Sequence, residues 1–540
     1  MSTEQITLLW FRDDLRVTDH PALTAARADG DVVALWIRES RDEDGLGPRP
    51  LGEAASWWAH ESLQELHSAL TELGIPLLFA AGQAATIVPT LARSLGAEAV
   101  RWSRRYAPRS RELDSRIKTE LNDAGIAAHS HPGHLLVEPW QVAPASASDH
   151  YQVFTPFWKA ARELPVEAPL PRVEPQQPGK DLRERIDSVL ADHAPDDSAS
   201  GDRAPDGRPS TAGAKHGADM LSAEVADLGL LDRAVPASGA VPEIDSRTSA
   251  SPRPAWWETT LARHWAPGCT SAQAALESLG AGIADYGTER DLPGRAEGTS
   301  QMSPRLRFGE ISPRQLFAEV GAMAEAADDD REAWVRQLYW REFSWHLTFH
   351  LPDLDWQPIR SEFASFPYQR DPETLRAWQR GRTGIALVDA GMRQLWETGW
   401  MHNRVRMVTA SLLTKNLLQP WQLGEQWFWN TLVDADEANN PVSWQWVAGC
   451  GADASPFFRI FNPERQRERF DPDGEYVRQW GRGAGSDGDG ADGDGVGADG
   501  DGTQSDGTDT DGDGAGLAPI VDLGESRLEA LDAYEAMKNA

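Results

Sequence analysis

Cysteine is nearly absent, with Cys269 and Cys450 the only two in 540 residues. Two thiols cannot build a disulfide framework, and neither sits at a metal-ligand spacing, so a stapled secreted scaffold and a cysteine-based metal site are both excluded. No run of about 18 uninterrupted apolar residues occurs, so no membrane-spanning helix is expected. The opening "MSTEQITLLWFRDDLR" has no basic stretch leading into a long apolar one, as a secretory leader would. Together these absences predict a soluble cytoplasmic protein without a metal site. Positive charge is scarce as well: 52 Lys and Arg face 84 Asp and Glu, for a formal net charge of -32. Any nucleic-acid binding must therefore come from a local basic patch.

Part of the acidity is local. Residues 483–516 carry ten Asp and no Lys or Arg, and residues 176–254 hold fourteen acidic against nine basic residues. The remainder is acidic too, which suits a protein working in high salt, where repulsion is screened and an acidic surface maintains solubility.

Another absence is the G-x-G-x-x-G dinucleotide fingerprint after the first apolar run. What is there is alternation. "ITLLWF", "VVALWI", "PLLFAAG", "AEAVRW" and "IAAHSH" are separated by helical stretches such as "EAASWWAHESLQELHSALTELG". Strands alternating with helices predict right-handed crossovers and a parallel, Rossmann-like α/β domain over 1–165. Residues 166–254 turn to Pro, Ser, Ala, Asp and Gly and read as a flexible acidic linker, with a short helix near "DLRERIDSVLADH". From 255 to 482 the periodicity is helical. "TGIALVDAGMRQLWETG" sets Ile385, Val388, Met392 and Leu395 on one face, which predicts a large all-α domain. The Gly-Asp tract 483–516 reads as a disordered insertion, and 517–540 as a C-terminal helix.

Tryptophan is abundant, and 13 of the 23 lie between 334 and 480. Singly, each reads as packing. Together, Trp340, Trp400, Trp421, Trp444 and Trp446 stand among polar companions, in "YWREF", "GWMHNRVRM" and "NNPVSWQW". Such companions suit a flat, polar heteroaromatic ligand, and a buried isoalloxazine needs partners at its ring nitrogens and carbonyls. Asp434 can accept from a ring or adenine N–H, Arg406 can balance it, and Asn440 can touch N5. The alternative for Asp434 and Arg406 is an ordinary buried ion pair. In "EGTSQMSPRLRFGEISPRQ", Thr299, Ser300 and Ser303 fall where a helix should start, which suits a pyrophosphate.

These segments, with "RAWQRGRTG", "LVDAGMRQL", "LVDADEANN" and "PFFRIFNPERQRERFDPDGEYVRQW", resemble the class I DNA photolyases of the photolyase/cryptochrome family. "LLWFRDDLRVTDHPAL" and "VFTPFW" are similar to that family's antenna domain and its exit. The resemblance implies an antenna domain over 1–165 and an FAD-binding domain over 255–482. It also implies a deoxyribodipyrimidine photo-lyase, in which light-excited reduced FAD gives an electron to a cyclobutane pyrimidine dimer flipped out of damaged DNA. By the same resemblance Trp340, Gln337, Met407 and Trp446 meet the dimer, and Asn440 lies at the flavin. Tyr286, Thr299, Ser300 and Ser303 line the phosphates and ribityl chain, and Trp334, Arg341, Asn403, Arg406, Asp434 and Asp436 surround the ring and adenine. Trp444, Trp421 and Tyr368 form the electron chain that reduces the flavin in light.

Two positions depart from the family's pattern. Tyr368 stands where the outermost Trp of the chain is usual, and Gln337 stands where dimer photolyases typically have Glu. Gln337 is also similar to the (6-4) photolyases and animal cryptochromes, although the (6-4) enzymes typically carry His-His where this chain has His402-Asn403. A cryptochrome-type photoreceptor without repair activity is the rival reading. Phosphate contacts are expected from Arg290, Arg404 and Arg465, with Arg459, Arg467 and Arg469 beside them. A second antenna chromophore, a deazaflavin or a folate, is implied without its identity, because the Asn-Glu pair of folate-binding members reads Arg109-Ser110 here. "HSHPGH" supplies His129, His131 and His134 but no fourth ligand, and reads as a surface loop. A monomer is expected.

Overall fold

The computed structural model describes residues 5–144, 149–192, 220–231, 257–454, 458–481 and 517–539. The expected Gly-Asp insertion, 483–516, lies outside them. Five parallel strands form as the alternation predicts: β1 (Ile6–Phe11), β2 (Asp31–Glu39), β3 (Leu77–Gly82), β4 (Ala99–Ser103) and β5 (Ala127–His131). Every residue of β1 is buried, as a strand covered on both faces requires. One face meets the helix Glu53–Glu72, where Trp58, Leu66 and Leu70 pack with Leu9, Phe11 and Phe79. The other meets the helices Ala84–Leu95 and Pro108–Asp123, where Leu91 and Ile117 pack with Leu8, Trp10 and Val33.

The reading of 166–254 as a linker needs correction within the described residues. A sixth strand, β6 (Met220–Ser222), pairs antiparallel with β3 and completes the sheet order β5-β4-β1-β2-β3-β6. The helix Lys180–Asp192 packs Leu182, Ile186 and Val189 into the same core as Leu91 and Ile117. Burial of those three apolar side chains holds the helix, whatever the polarity of the stretch around it.

The rest of the chain is helical. The main elements are Asp328–His350, Ala386–Thr398, Asn403–Ser411, Trp421–Thr431 and Asn439–Ala448. Ile385, Val388, Met392 and Leu395 are all buried in the main helical core. Gly399, at φ +66, ends the helix Ala386–Thr398 in the left-handed conformation that glycine adopts freely. The helix Leu523–Lys538 packs back onto that core through Ala530, Met537 and a Tyr534–Phe458 stack at 4.4 Å.

The two domains share a polar, closely packed seam. Arg16 donates to Gly309 O at 2.9 Å and Gly133 O at 3.0 Å, and Arg314 pairs with Asp19 at 2.6 Å. Gly309 is at φ +60, and a Cβ there would stand 2.2 Å from the Asp13 carbonyl oxygen, so the seam closes over a position that tolerates only glycine. Trp58 donates its indole N–H to Glu310 at 2.7 Å, joining the helix Glu53–Glu72 to the turn between the helices Ser303–Arg307 and Pro313–Ala322. No helix among the described residues is long and apolar enough to cross a membrane.

Candidate active site

Six helices and the loop 299–302 line a cavity of about 490 Å³. That size falls within the range of cofactor and ligand pockets. The long helix Asp328–His350 contributes Trp334, Gln337, Trp340 and Arg341 at spacings of three and four, so they share one face. The helix Asn403–Ser411 supplies Asn403, Arg406 and Met407, and the helix Asn439–Ala448 supplies Asn440, Trp444 and Trp446. Tyr286, Arg290, Thr299, Ser300, Ser303, Asp434 and Asp436 complete the wall. Segments that lie more than a hundred residues apart in sequence thus converge on one space.

A hydrogen-bonded group anchors the floor. Arg406 holds both oxygens of Asp434, at 3.0 and 2.8 Å, and its Nε donates to Met401 O at 2.7 Å. Ser303 donates its hydroxyl to Asp434 at 2.6 Å and accepts from the Trp400 indole at 3.3 Å. The ion pair is therefore real, yet its carboxylate and the serine remain on the cavity wall. Ser303 begins a helix of five residues, Ser303–Arg307, so Thr299 and Ser300 precede it on an irregular loop. Next to them Gln301 holds φ +50, a strained backbone of the sort that gathers at binding sites.

Aromatic stacking fixes the indoles. Trp340 lies on Phe154 with ring centroids 3.6 Å apart and an interplanar angle of 7°. Trp446 is backed by Phe461 at 6.4 Å. Gln337 donates its amide to Ala333 O at 2.9 Å, one turn back on its own helix.

Two matches to family models decide what the fold is. Residues 7–176 match DNA photolyase, and residues 334–482 match the FAD binding domain of DNA photolyase. A deoxyribodipyrimidine photo-lyase of Agrobacterium fabrum is 38% identical, the match covering 98% of this chain and 98% of that one. The chain belongs to the photolyase/cryptochrome family. Cryptochrome-2 of Arabidopsis thaliana is 32% identical, over 89% of this chain and 71% of that one. The crystal structure of a bacterial class III photolyase from Agrobacterium tumefaciens superposes with a TM-score of 0.76 at 34% identity, covering 100% of this chain and 99% of that one. The comparisons support the family, not the expected assignment to class I.

Membership in the photolyase/cryptochrome family calls for FAD, and the cavity fits it. An acceptor carboxylate, hydroxyls and amides line the same space as five indoles, the mixture a flavin with its polar ring edge and phosphates requires. Asp436 fits less directly than expected. Its oxygens accept from the Ala438 N–H and from the Asn439 side-chain amide, at 2.8 and 2.7 Å, and so organise the start of the next helix. Arg341 also turns partly away, donating to the His134 carbonyl at 2.7 Å and meeting its ring at 2.9 Å.

Four expected residues lie off this cavity. Trp421 is buried, and with Tyr368 it lines a second cavity. Arg404 pairs with Asp291 at 2.7 Å, so its charge is already partnered. Arg465 is exposed on the helix Pro463–Phe470. Arg290 stands on the wall of the first cavity, over the Tyr286 ring at 5.4 Å.

Residue-by-residue reading missed Glu425. It is fully buried, accepts from Asn440 at 2.7 Å and from Arg49 of the α/β domain at 2.7 Å. Burial pushes its carboxyl up while Arg49 opposes the shift. The signal was available, because Glu425 is the only charge in "PWQLGEQWFWNTLV". Phe154, the backing of Trp340, carries no signal of its own within "VFTPFW".

The crevice beyond the carboxyl ends of β1 and β4, where doubly wound sheets hold ligands, is filled. Arg12 pairs with Asp114 at 2.7 Å, and Arg105 bridges Asp13 and Glu39 at 2.6 and 2.5 Å. Arg49, His134 and Arg307 close on the same narrow space. Among the described residues no group of three metal-ligating side chains converges, the histidines of "HSHPGH" included.

Proposed function

We propose that this protein is a deoxyribodipyrimidine photo-lyase that splits cyclobutane pyrimidine dimers in DNA under blue light. The observation that carries the reading is a single cavity bearing two backed indoles, Trp340 and Trp446, beside Gln337 and Met407, above a polar floor suited to FAD. Bound and reduced, FAD supplies the light-driven electron. The chain's own residues hold the cofactor, receive the lesion and exclude water.

Arg406, Asp434 and Ser303 form the rigid floor against which the cofactor is held, with Tyr286, Thr299, Ser300, Trp334 and Asn403 around it. Asn440 is the amide placed for the flavin's N5. Trp340 and Trp446 receive the flipped dimer, which a damaged and poorly stacked step releases at low cost. Stacking of this sort contributes on the order of 1–3 kcal/mol per base. Gln337 offers the base edge an amide oxygen that accepts no hydrogen bond among the described residues, while its N–H remains on its own helix. Phosphate contacts fall to Arg290 and Arg465. Arg404 reaches a phosphate only by releasing Asp291. On so acidic a chain counterion release contributes little, and flipping and stacking carry more of the affinity. The class III relative favours that class over class I.

The reading requires selective dark binding. The holoprotein is titrated into a duplex with one thymine dimer and into the same duplex undamaged. Tighter binding to the damaged duplex, weakened by Trp340→Ala, is expected; equal affinity for both would favour the photoreceptor.

A further inference from the structure

The second cavity, about 330 Å³, opens on the far side of the tryptophan series from the first. Trp356, Phe366, Tyr368, Arg370 and Trp421 line it. Trp444 lines the first space. Its indole lies against Gly424, where an added Cβ would stand 2.1 Å from the ring, and Gly424 sits three residues after Trp421 on the same helix. Residues at that spacing share a face, so Trp444 and Trp421 are neighbours. Besides Trp421, two readily oxidised side chains line the second cavity, Tyr368 and Trp356.

Tyr368 is poorly suited to be the outlet. Its ring packs on Phe366 at 4.7 Å, and among the described residues nothing accepts a hydrogen bond from its hydroxyl. Burial pushes the phenol well above its ordinary range, and no carboxylate or imidazole stands beside it. A tyrosine that gives up an electron must also lose its proton, and among the described residues no carboxylate or imidazole beside Tyr368 assists that loss.

Trp356 is the more exposed of the two, and an indole radical cation needs no carboxylate or imidazole beside it. It is 38% exposed, so water reaches the indole. Its loop is also held firmly against both inner tryptophans. Gln422, next to Trp421, donates to Trp356 O at 3.1 Å. Gln445, buried between Trp444 and Trp446 in sequence, donates to Leu354 O at 2.7 Å and Gln357 O at 2.9 Å and accepts from Ile359 N–H at 2.9 Å. Two amides thus clamp the exposed indole's loop to the helices that carry the chain.

We infer that Trp356, not Tyr368, is the solvent-facing end of the electron relay that reduces the flavin. The inference rests on the reading that the first cavity holds a light-driven flavin. Trp444 gives one electron to the excited oxidised cofactor, Trp421 refills Trp444, and Trp356 refills Trp421. The oxidised Trp356 loses its indole proton to water. A thiol in solution then supplies one electron and one proton to restore Trp356, and two oxidised thiols close as a disulfide.

The test compares oxidised holoprotein with Trp356→Phe, Tyr368→Phe and Trp421→Phe under blue light, with β-mercaptoethanol as the reductant. Flavin bleaching is followed, and a nitroso spin trap is mapped on the chain by peptide mass spectrometry. Severalfold slower bleaching in Trp356→Phe, wild-type bleaching in Tyr368→Phe, and a trap adduct on Trp356 are expected. Wild-type bleaching in Trp356→Phe, or an adduct on Tyr368 in its place, would overturn the inference. Wild-type bleaching in Trp421→Phe would also overturn it, whereas no bleaching in the wild type would instead remove the reading on which it rests.

Discussion

Asn440 donates its side-chain amide to the carboxylate of Glu425 at 2.7 Å and to the Glu425 carbonyl at 3.1 Å. Both N–H groups are thereby committed, and the amide oxygen is left for the cavity. Asn440→Asp would bring a second carboxyl against Glu425, and two carboxylates at that distance cannot both stay ionised. An altered rate of flavin reoxidation is expected in that variant. Glu425→Gln keeps an acceptor but removes the charge that Arg49 faces, and a loss of about 1–3 kcal/mol in chemical denaturation is expected. Reoxidation kinetics unchanged in both variants would remove Asn440 from N5.

Trp421→Phe should abolish photoreduction of the flavin while leaving repair by chemically pre-reduced protein intact. Gly424→Ala reaches the same step from another side. The added methyl group meets the Trp444 ring, so a destabilisation of about 1–3 kcal/mol and slower photoreduction are expected together.

Asp434 is nearly buried and holds Arg406 and Ser303 at once. Asp434→Ala leaves a guanidinium and a hydroxyl without their acceptor, and removal of one partner from such a pair costs about 3–5 kcal/mol when fully buried. Arg406 is 23% exposed at its side chain, so a smaller loss is expected, with a lowered flavin-to-protein ratio on purification. Full flavin content in that variant would show that the floor does not hold the cofactor.

Glu342 gives a pH prediction. Burial raises its carboxyl to about 7, against Arg341 and the Leu136 and Val137 N–H groups, which favour the charge. The folded protein then holds a proton that the unfolded chain releases near pH 4.5. Stability contributed by the protonated form is complete below pH 4.5 and falls as pH rises to about 7, by on the order of 3 kcal/mol for a shift of that size. Glu342→Gln cannot titrate, so its denaturation midpoint should be flatter than wild type across that window. Parallel curves would contradict the assignment.

Much of the fold was legible because its signals are periodic. The five parallel strands are apolar runs between helical patterns, and the face formed by Ile385, Val388, Met392 and Leu395 is visible as spacing. The edge strand Met220–Ser222 was not legible, since three residues in a polar stretch have no period and are fixed only by pairing with β3. The cavity was read from companions in sequence, such as the amides beside Trp444 and Trp446, and those residues converge. What stayed hidden depends on distance along the chain. Arg49 meets Glu425 across 376 positions, and Phe154 supports Trp340 from the other domain's exit. Gln445 shows the limit of composition as a guide. An amide among tryptophans suggested a ligand contact, yet both ends of this one fasten the loop that carries Trp356.

Photorepair tests the account most directly. Holoprotein, chemically reduced in high salt, is mixed with an oligonucleotide carrying one thymine dimer, and base absorbance is followed under blue light and in darkness. Recovery in light and none in darkness is predicted. No recovery in light, from protein that retains a reduced flavin spectrum, would contradict dimer repair and leave a photoreceptor or a different lesion as its function.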